Sequence, residues 1–100
     1  MRPVLIPGPC DGVAPDDEYV RRYWVAVVGP TAVADLLRLI AAARRREALP
    51  RPTHLSTLLA EGLAWSVCGR IIVPTTIPRI GARSLRRLPL PLRRELRPSD

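Results

Sequence analysis

The stretch HLSTLLAEGLAWSVCGRIIVPTTIP, residues 54–78, changes its hydrophobic period half-way, and this change decides the predicted fold. In the first half, apolar residues recur three and four positions apart, which predicts a short helix. The second half is rich in Val, Ile, Thr and Trp, which favour strands. Cys68-Gly69 stands between two short apolar runs, and a glycine in the second central position is a hairpin signal. The stretch therefore predicts a helix followed at once by a β-hairpin.

The faces of these elements follow from the same pattern. Thr53 is a suitable cap for the helix. One helix face carries Leu55, Leu58, Leu59 and Gly62, with Leu63 beside them. The opposite, more exposed face carries His54, Ser56, Thr57, Ala60 and Glu61. Pro74 and Pro78 cannot donate to a β-ladder, so the second strand of the hairpin is predicted at the edge of a sheet.

Upstream, GPTAVADLLRLIAAARRREALP, residues 29–50, predicts the longest helix. Gly29 followed by Pro30 is a favourable helix start, because the first helical position needs no N–H donor. Pro50 ends the pattern. The predicted apolar face consists of Val33, Leu36, Leu37, Ile40 and Ala41. Arg44, Arg45 and Arg46 stand at the end of the helix, where cations suit the helix dipole.

The first part of the chain is less regular. Residues 1–16 hold four prolines and two glycines and are predicted to form an extended N-terminal arm. The next residues, DDEYVRRYWVAVVG, predict a short helix with Asp16 as its cap. Their second half, YWVAVVG, is also compatible with a strand, and the pattern leaves this alternative open.

The tail GARSLRRLPLPLRREL, residues 81–96, alternates leucines with arginine pairs. Two helical turns are predicted up to Leu88, because Pro89 disfavours the helical conformation of the residue before it. The Pro-Leu-Pro stretch is then expected to be extended, with one further turn after it. The leucines expected to dock on the core are Leu85, Leu88, Leu92 and Leu96. The arginines expected to face water are Arg83, Arg86, Arg87, Arg93 and Arg94.

The charge of the chain is unevenly distributed. All sixteen basic residues are arginine, and the net charge is +7. Residues 1–20 carry one Arg and four acidic residues, a net charge of −3, whereas residues 21–100 carry fifteen Arg and five acidic residues, a net charge of +10. Arginine is a permanent cation whose planar fork matches phosphate. A basic body of this kind favours a polyanionic partner, with nucleic acid first among the candidates.

Several classes of protein are excluded by the composition. Two cysteines and one histidine are too few for a structural zinc site, and no metal or other cofactor is predicted. A reduced, cytoplasmic chain is the simplest interpretation. No membrane span is predicted, because Asp35 and Arg38 would lie in lipid. Neither a nucleophile elbow nor a phosphate-loop glycine pattern is present, so no catalytic residue is assigned and the protein is not expected to be an enzyme.

Four segments in this order resemble a group of small proteins of GC-rich bacteria and their phages. They are GPTAVADLLRLI, LSTLLAEGLAW, GRIIVPTTIPRI and LRRLPLPLRREL. That group has a Gly-Pro helix start, a leucine-rich helix before a hairpin and an arginine-leucine close, and its members are described as helix-turn-helix or winged-helix proteins. The resemblance covers roughly residues 22–96. It implies a winged-helix-like fold, DNA binding and a role in transcription regulation.

The predicted fold class is thus mainly α with a β-hairpin, a winged-helix-like small domain at residues 17–97 that includes a basic C-terminal segment, 79–97. In a winged helix, the last helix before the hairpin enters the major groove and the hairpin contacts the backbone beside it. Duplex DNA is the expected partner, bound mainly through Arg–phosphate contacts. The predicted nucleic-acid-binding residues are Arg44, Arg45, Arg46, His54, Ser56, Thr57, Arg70, Arg83, Arg86, Arg87, Arg93 and Arg94.

Two other functions remain open at this point. The leucine-rich helices are also compatible with a non-enzymatic protein–protein adaptor that forms a homodimer or binds another protein. The arginine–leucine tail is compatible with a peripheral membrane protein, although its prolines disfavour the long amphipathic helix that such binding needs.

Overall fold

A computed structural model describes residues 1–96. In chain order, its elements are β1 (Val4–Ile6), a π-helical segment (Val20–Trp24), α1 (Val25–Val28), α2 (Pro30–Arg45), α3 (Leu55–Ala60), β2 (Trp65–Val67), β3 (Arg70–Pro74), α4 (Ala82–Leu85) and α5 (Leu90–Glu95). The radius of gyration is 13.5 Å, as expected for a folded chain of this length. The described residues form a small, compact α+β domain with five α-helices and one mixed three-stranded sheet.

The hairpin forms where the sequence predicts it. β2 and β3 pair antiparallel, with Val67 opposite Arg70 and Trp65 opposite Ile72. The two turn residues, Cys68 and Gly69, have φ angles of 50° and 76°. Positive φ at both central positions is typical of a type I′ turn, whose twist matches that of the paired strands.

The prediction that the second hairpin strand lies at a sheet edge is wrong. The strand order is β1-β3-β2, so β3 is central, and β1 pairs with it in parallel. Pro74 is tolerated because it is the last residue of β3, and the next residue, Thr75, donates its N–H to Ile6 O over 2.8 Å. The segment predicted as an extended arm therefore supplies the third strand.

A second contact anchors the same segment further along. Val13 and Ile77 exchange two backbone hydrogen bonds of 2.9 and 2.8 Å, and both side chains are buried. Gly8 is packed so closely that a Cβ there would lie 2.3 Å from Thr76 O. The glycine and proline content of residues 1–16 thus fits a strand and a tightly packed loop.

The helix α2 begins at Pro30, as the sequence predicts, and forms the centre of the core. Its predicted apolar face is wrong at Ala41, which is exposed, and it lacks Leu39, which is fully buried. Leu37 is half-buried and packs against the core. α2 packs against α1, α3, β1 and β3. The buried arc is therefore set by neighbours on several sides of the helix and not by the widest apolar stripe.

The residues before α2, for which the sequence leaves both helix and strand open, are helical. The π-helical segment runs directly into α1, and Trp24 is buried and donates its indole N–H to Pro78 O over 2.7 Å. At the start of the π-helical segment, the side chain of Asp17 accepts a hydrogen bond from the N–H of Tyr19 over 2.8 Å. Asp16, the predicted cap, does not take this role. Gly29, with φ 93°, separates α1 from α2.

The two helical segments around Gly29 bear on the question of a membrane span. Within residues 1–96, no single helix is long and apolar enough to cross a membrane. Residues 20–28 and 30–45 meet the requirements of length and composition only as a pair, and the pair is bent by 118°.

The tail docks on the domain through its leucines. Leu88 is buried, at 2% exposure, and the other three predicted docking leucines are half-buried. The extended Pro-Leu-Pro stretch is wrong, because α5 begins at Leu90 with Pro91 in its first turn, where no N–H donor is needed. Arg22 and Tyr23 both donate to Glu95 and so join α5 to the π-helical segment. Residue 97, the predicted end of the domain, lies outside the described residues.

Candidate functional site

Four arginines converge on one cleft at the end of the sheet. The cleft has a volume of about 870 Å³ and lies between the first residues of the chain, the end of α2 and the hairpin turn. Its cationic lining residues are Arg2, Arg44, Arg46 and Arg70. Among the described residues no Asp or Glu lines it. We call it the arginine cleft.

Three local structures position these side chains. Met1 and Leu49 exchange two backbone hydrogen bonds of 2.9 Å, which hold Arg2 beside the end of α2. Arg46 ends α2 in the left-handed conformation, with φ 56°, and its N–H bonds to the carbonyl of Ala43. Arg70 follows the type I′ turn and opens β3. The cleft thus depends on the parallel pairing of β1 with β3.

The charge of the cleft is not neutralised by any of residues 1–96. In residues 1–96, none of its four arginines forms an ion pair or a side-chain hydrogen bond. The three Arg–carboxylate ion pairs in residues 1–96 involve Arg22, Arg38 and Arg87 instead. Guanidinium groups that face a shared space without carboxylates create a site for an anion, and phosphate fits their planar geometry best.

The predicted cluster at the end of α2 is only partly brought together. Arg44 and Arg46 line the cleft with Arg70, whereas Arg45 is exposed but does not line it. Arg2 was missed, because it belongs to the acidic first part of the chain. No short-range pattern could have identified it, since only the pairing of β1 with β3 carries it to this place.

The tail arginines have different environments. Arg87 forms an ion pair with Glu61, whose side chain is only 4% exposed and also accepts the hydroxyl of Ser84 over 3.1 Å. Arg93 is half-buried and donates to Arg86 O and Leu88 O over 2.9 and 3.1 Å. The prediction that Arg93 faces water is therefore wrong.

The other tail arginines have side chains open to solvent. Arg83 and Arg86 line a second, smaller depression of about 490 Å³ together with Arg87. Arg94 is exposed on α5. None of these three forms a side-chain hydrogen bond or ion pair in residues 1–96.

α3, the helix predicted to enter the major groove, exposes less surface than expected. α3 has six residues, with Ser56 exposed and Thr57 half-buried. Thr53 does not cap it; the carboxylate of Asp35 on α2 accepts the N–H of His54 over 3.0 Å and takes that role across the core. The same Asp35 oxygen lies 3.3 Å from His54 Nδ1.

Asp35 is a buried carboxylate held by several donors. Burial by itself would raise its pKa, but the hydrogen bonds from the backbone and ring of His54 and from Arg38 outweigh burial and lower the pKa below its ordinary value. Arg38 Nη2 lies 2.6 Å from Asp35 Oδ1. Asp35 is therefore ionised at neutral pH and joins α2 to the start of α3.

Thr31, His54 and Asp35 lie in the order of a hydroxyl–imidazole–carboxylate triad. Thr31 Oγ1 is 3.4 Å from His54 Nε2, and Nδ1 is 3.3 Å from the carboxylate. Because Asp35 also accepts the His54 backbone N–H at the shorter distance of 3.0 Å, we interpret the three residues as a structural clamp between α2 and α3.

Comparison of the chain with protein-family models, with curated proteins and with solved structures gave no match. The resemblance to winged-helix proteins, and the DNA-binding role that it implies, therefore stay predictions.

Proposed function

We propose that the protein binds DNA through contacts between the arginine cleft and backbone phosphates. The observation that carries this proposal is the convergence of Arg2, Arg44, Arg46 and Arg70 on one cleft whose lining, in residues 1–96, contains no carboxylate. Cations left unpaired by the fold are available to phosphates, and each such contact releases a counterion from DNA.

A polyanion suits this surface better than a small anion. One phosphate can be satisfied by one or two guanidinium forks, whereas the cleft holds four, and Arg45, between two of them in the chain, is also exposed. The net charge of +7 adds a long-range attraction to any polyanion. Consecutive phosphates of one strand would engage several of these arginines together.

The winged-helix type is part of the same proposal. The order of a helix, a second helix and a hairpin supports it, and Arg70 at the hairpin turn is suited to contact the backbone as a wing residue. On the short α3, Ser56 is exposed, while His54 before it is engaged by Asp35. Binding would accordingly be weakly sequence-selective, in the cytoplasm, with regulation as its biological role and without catalysis or a cofactor.

The adaptor alternative rests on leucines that the fold uses internally. Leu55 and Leu58 are 1% and 0% exposed. A partner could reach these side chains only if the core opened. DNA binding is the better-supported function because its arginines are at the surface already.

The test is a salt titration of duplex DNA binding with two charge-matched variants. If Arg45 and the four cleft arginines contact one phosphate each, the log–log slope of affinity against salt should be about −4 to −5. A cleft variant carries Arg44→Ser, Arg46→Ser and Arg70→Ser, and a tail variant carries Arg83→Ser, Arg86→Ser and Arg94→Ser. Each variant loses three positive charges.

The cleft variant should flatten the slope by about 2.7, because each lost phosphate contact contributes about 0.9. The tail variant should flatten it by less than about 1, since its arginines are spread over two helices. Equal losses in both variants would mean that binding follows net charge alone and that the cleft is not a site. An absence of binding at low salt would refute the proposal as a whole.

A further inference from the structure

The outer face of the sheet is apolar and uncovered at the end where Arg70 lies. The cross-strand register places Trp65 opposite Ile72, and Ile72 opposite Val4 on the other side. Ile71 and Val73 point to the core. Trp65, Ile72 and Val4 therefore point away from it, as does Arg70. Trp65, Val67 and Val4 are 39%, 50% and 36% exposed.

This face is continuous with the arginine cleft. Val4 and Arg70 belong to both. Trp65 and Arg70 are diagonal neighbours on one face of the hairpin, at about 7–8 Å between their Cα atoms. An exposed indole thus lies beside a guanidinium that forms no ion pair within residues 1–96.

We propose that the arginine cleft and the outer sheet face together bind single-stranded nucleic acid, with a base stacked on Trp65 and its phosphate on Arg70. This inference rests on the proposed phosphate-binding function of the cleft. A duplex offers phosphates but keeps its base faces stacked inside. A single strand offers both chemistries within one nucleotide, which matches an aromatic ring placed next to a cation.

Charge complementarity favours this occupant over a second copy of the chain. The face is flanked by Arg70 and the other cleft cations, and two copies would bring these like charges together. The apolar residues around Trp65 supply a platform that tolerates any base, since every base has a π-face.

Tryptophan fluorescence can test the stacking directly. Trp24 is 2% exposed and Trp65 is 39% exposed, so a base that stacks on the surface quenches Trp65 alone. The probe is a 12-nucleotide oligothymidine strand, compared with a duplex of the same length at the same salt concentration. The single strand should bind more tightly and quench the parent protein.

Two substitutions of Trp65 distinguish base stacking from a general apolar contact. Trp65→Leu keeps an apolar side chain without a π-face and should weaken single-strand binding by about 5- to 150-fold, which corresponds to the loss of one stacked base. Trp65→Tyr keeps an aromatic ring and should lose much less. Both substitutions are on an exposed edge strand, and an unchanged thermal transition verifies that they fold.

The outcomes distinguish this inference from the proposed function. The stacking inference is refuted if the duplex binds as tightly as the single strand, or if Trp65→Leu leaves the affinity for both probes unchanged. In either case the phosphate contacts stand. A concentration-dependent dimer in sedimentation, abolished by Trp65→Leu while nucleic-acid binding persists, would also overturn it. If the cleft variant keeps its full affinity for both probes, the proposed function itself fails.

Discussion

Removal of the Asp35 carboxylate is the sharpest test of the interface between α2 and α3. Asp35 accepts the His54 N–H over 3.0 Å, lies 3.3 Å from the ring of the same residue and bonds Arg38 over 2.6 Å. Its side chain is only 9% exposed. Asp35→Ala therefore leaves the N–H of His54, the residue before α3, without its acceptor in a part-buried place.

The expected magnitude follows from these contacts. A buried donor left without a partner costs about 1–3 kcal/mol. The side chain of Arg38 is 68% exposed, so water solvates its guanidinium once the carboxylate is removed. The lost ion pair therefore adds at most about 1 kcal/mol to the destabilisation. A total of about 2 kcal/mol should lower Tm by about 8–16 °C in a domain of this size. Asp35→Asn keeps one acceptor oxygen and should cost about half as much.

The pH dependence has a definite sign. The pKa of Asp35 is lowered on folding, so its contribution to stability is present above its unfolded pKa and is lost as pH falls through the folded pKa. The difference in stability between the parent and Asp35→Asn should be complete at neutral pH. It should narrow below the ordinary value of 3.8.

Circular dichroism with thermal and urea unfolding, at neutral and acidic pH, measures both effects. Asp16→Asn serves as the control, because it removes an exposed carboxylate without a side-chain contact in residues 1–96. A Tm of Asp35→Ala within about 2 °C of the parent would refute the clamp. A stability difference that stays constant down to pH 3 would refute the assignment of the pKa shift.

Two further predictions compare neighbouring residues. Leu36→Ala should cost about 2–5 kcal/mol in the free energy of unfolding by urea, because Leu36 is fully buried, whereas Leu37→Ala should cost clearly less; equal losses would show that the helix phase is wrong. Arg87→Ala should cost about 1–3 kcal/mol because it leaves the buried carboxylate of Glu61 without its ion pair, while the adjacent, exposed Arg86→Ala should be nearly neutral. Calorimetric Tm values that are the same for both arginine variants would contradict the Glu61 contact.

Local chemistry predicted the elements with the strongest short-range signals. The Cys68-Gly69 turn, the start of α2 at Pro30 and the docking of Leu88 all follow from residue types within a few positions of one another. Turn geometry, capping and proline sterics act over such distances, so they can be read without a partner. The concentration of arginines after residue 20 is also a property of the sequence alone.

Tertiary structure decided what depends on partners distant in the chain. The parallel pairing of β1 with β3 placed β3 at the centre of the sheet and brought Arg2 into the same cleft as Arg70. No short-range sequence pattern predicts that pairing. The rotation of the α2 face toward Leu39 and the tail contacts of Arg93 were likewise set by packing. The physical reason is the same in each case: burial and charge pairing depend on which surfaces meet, whereas the sequence by itself determined only which surfaces each segment could offer.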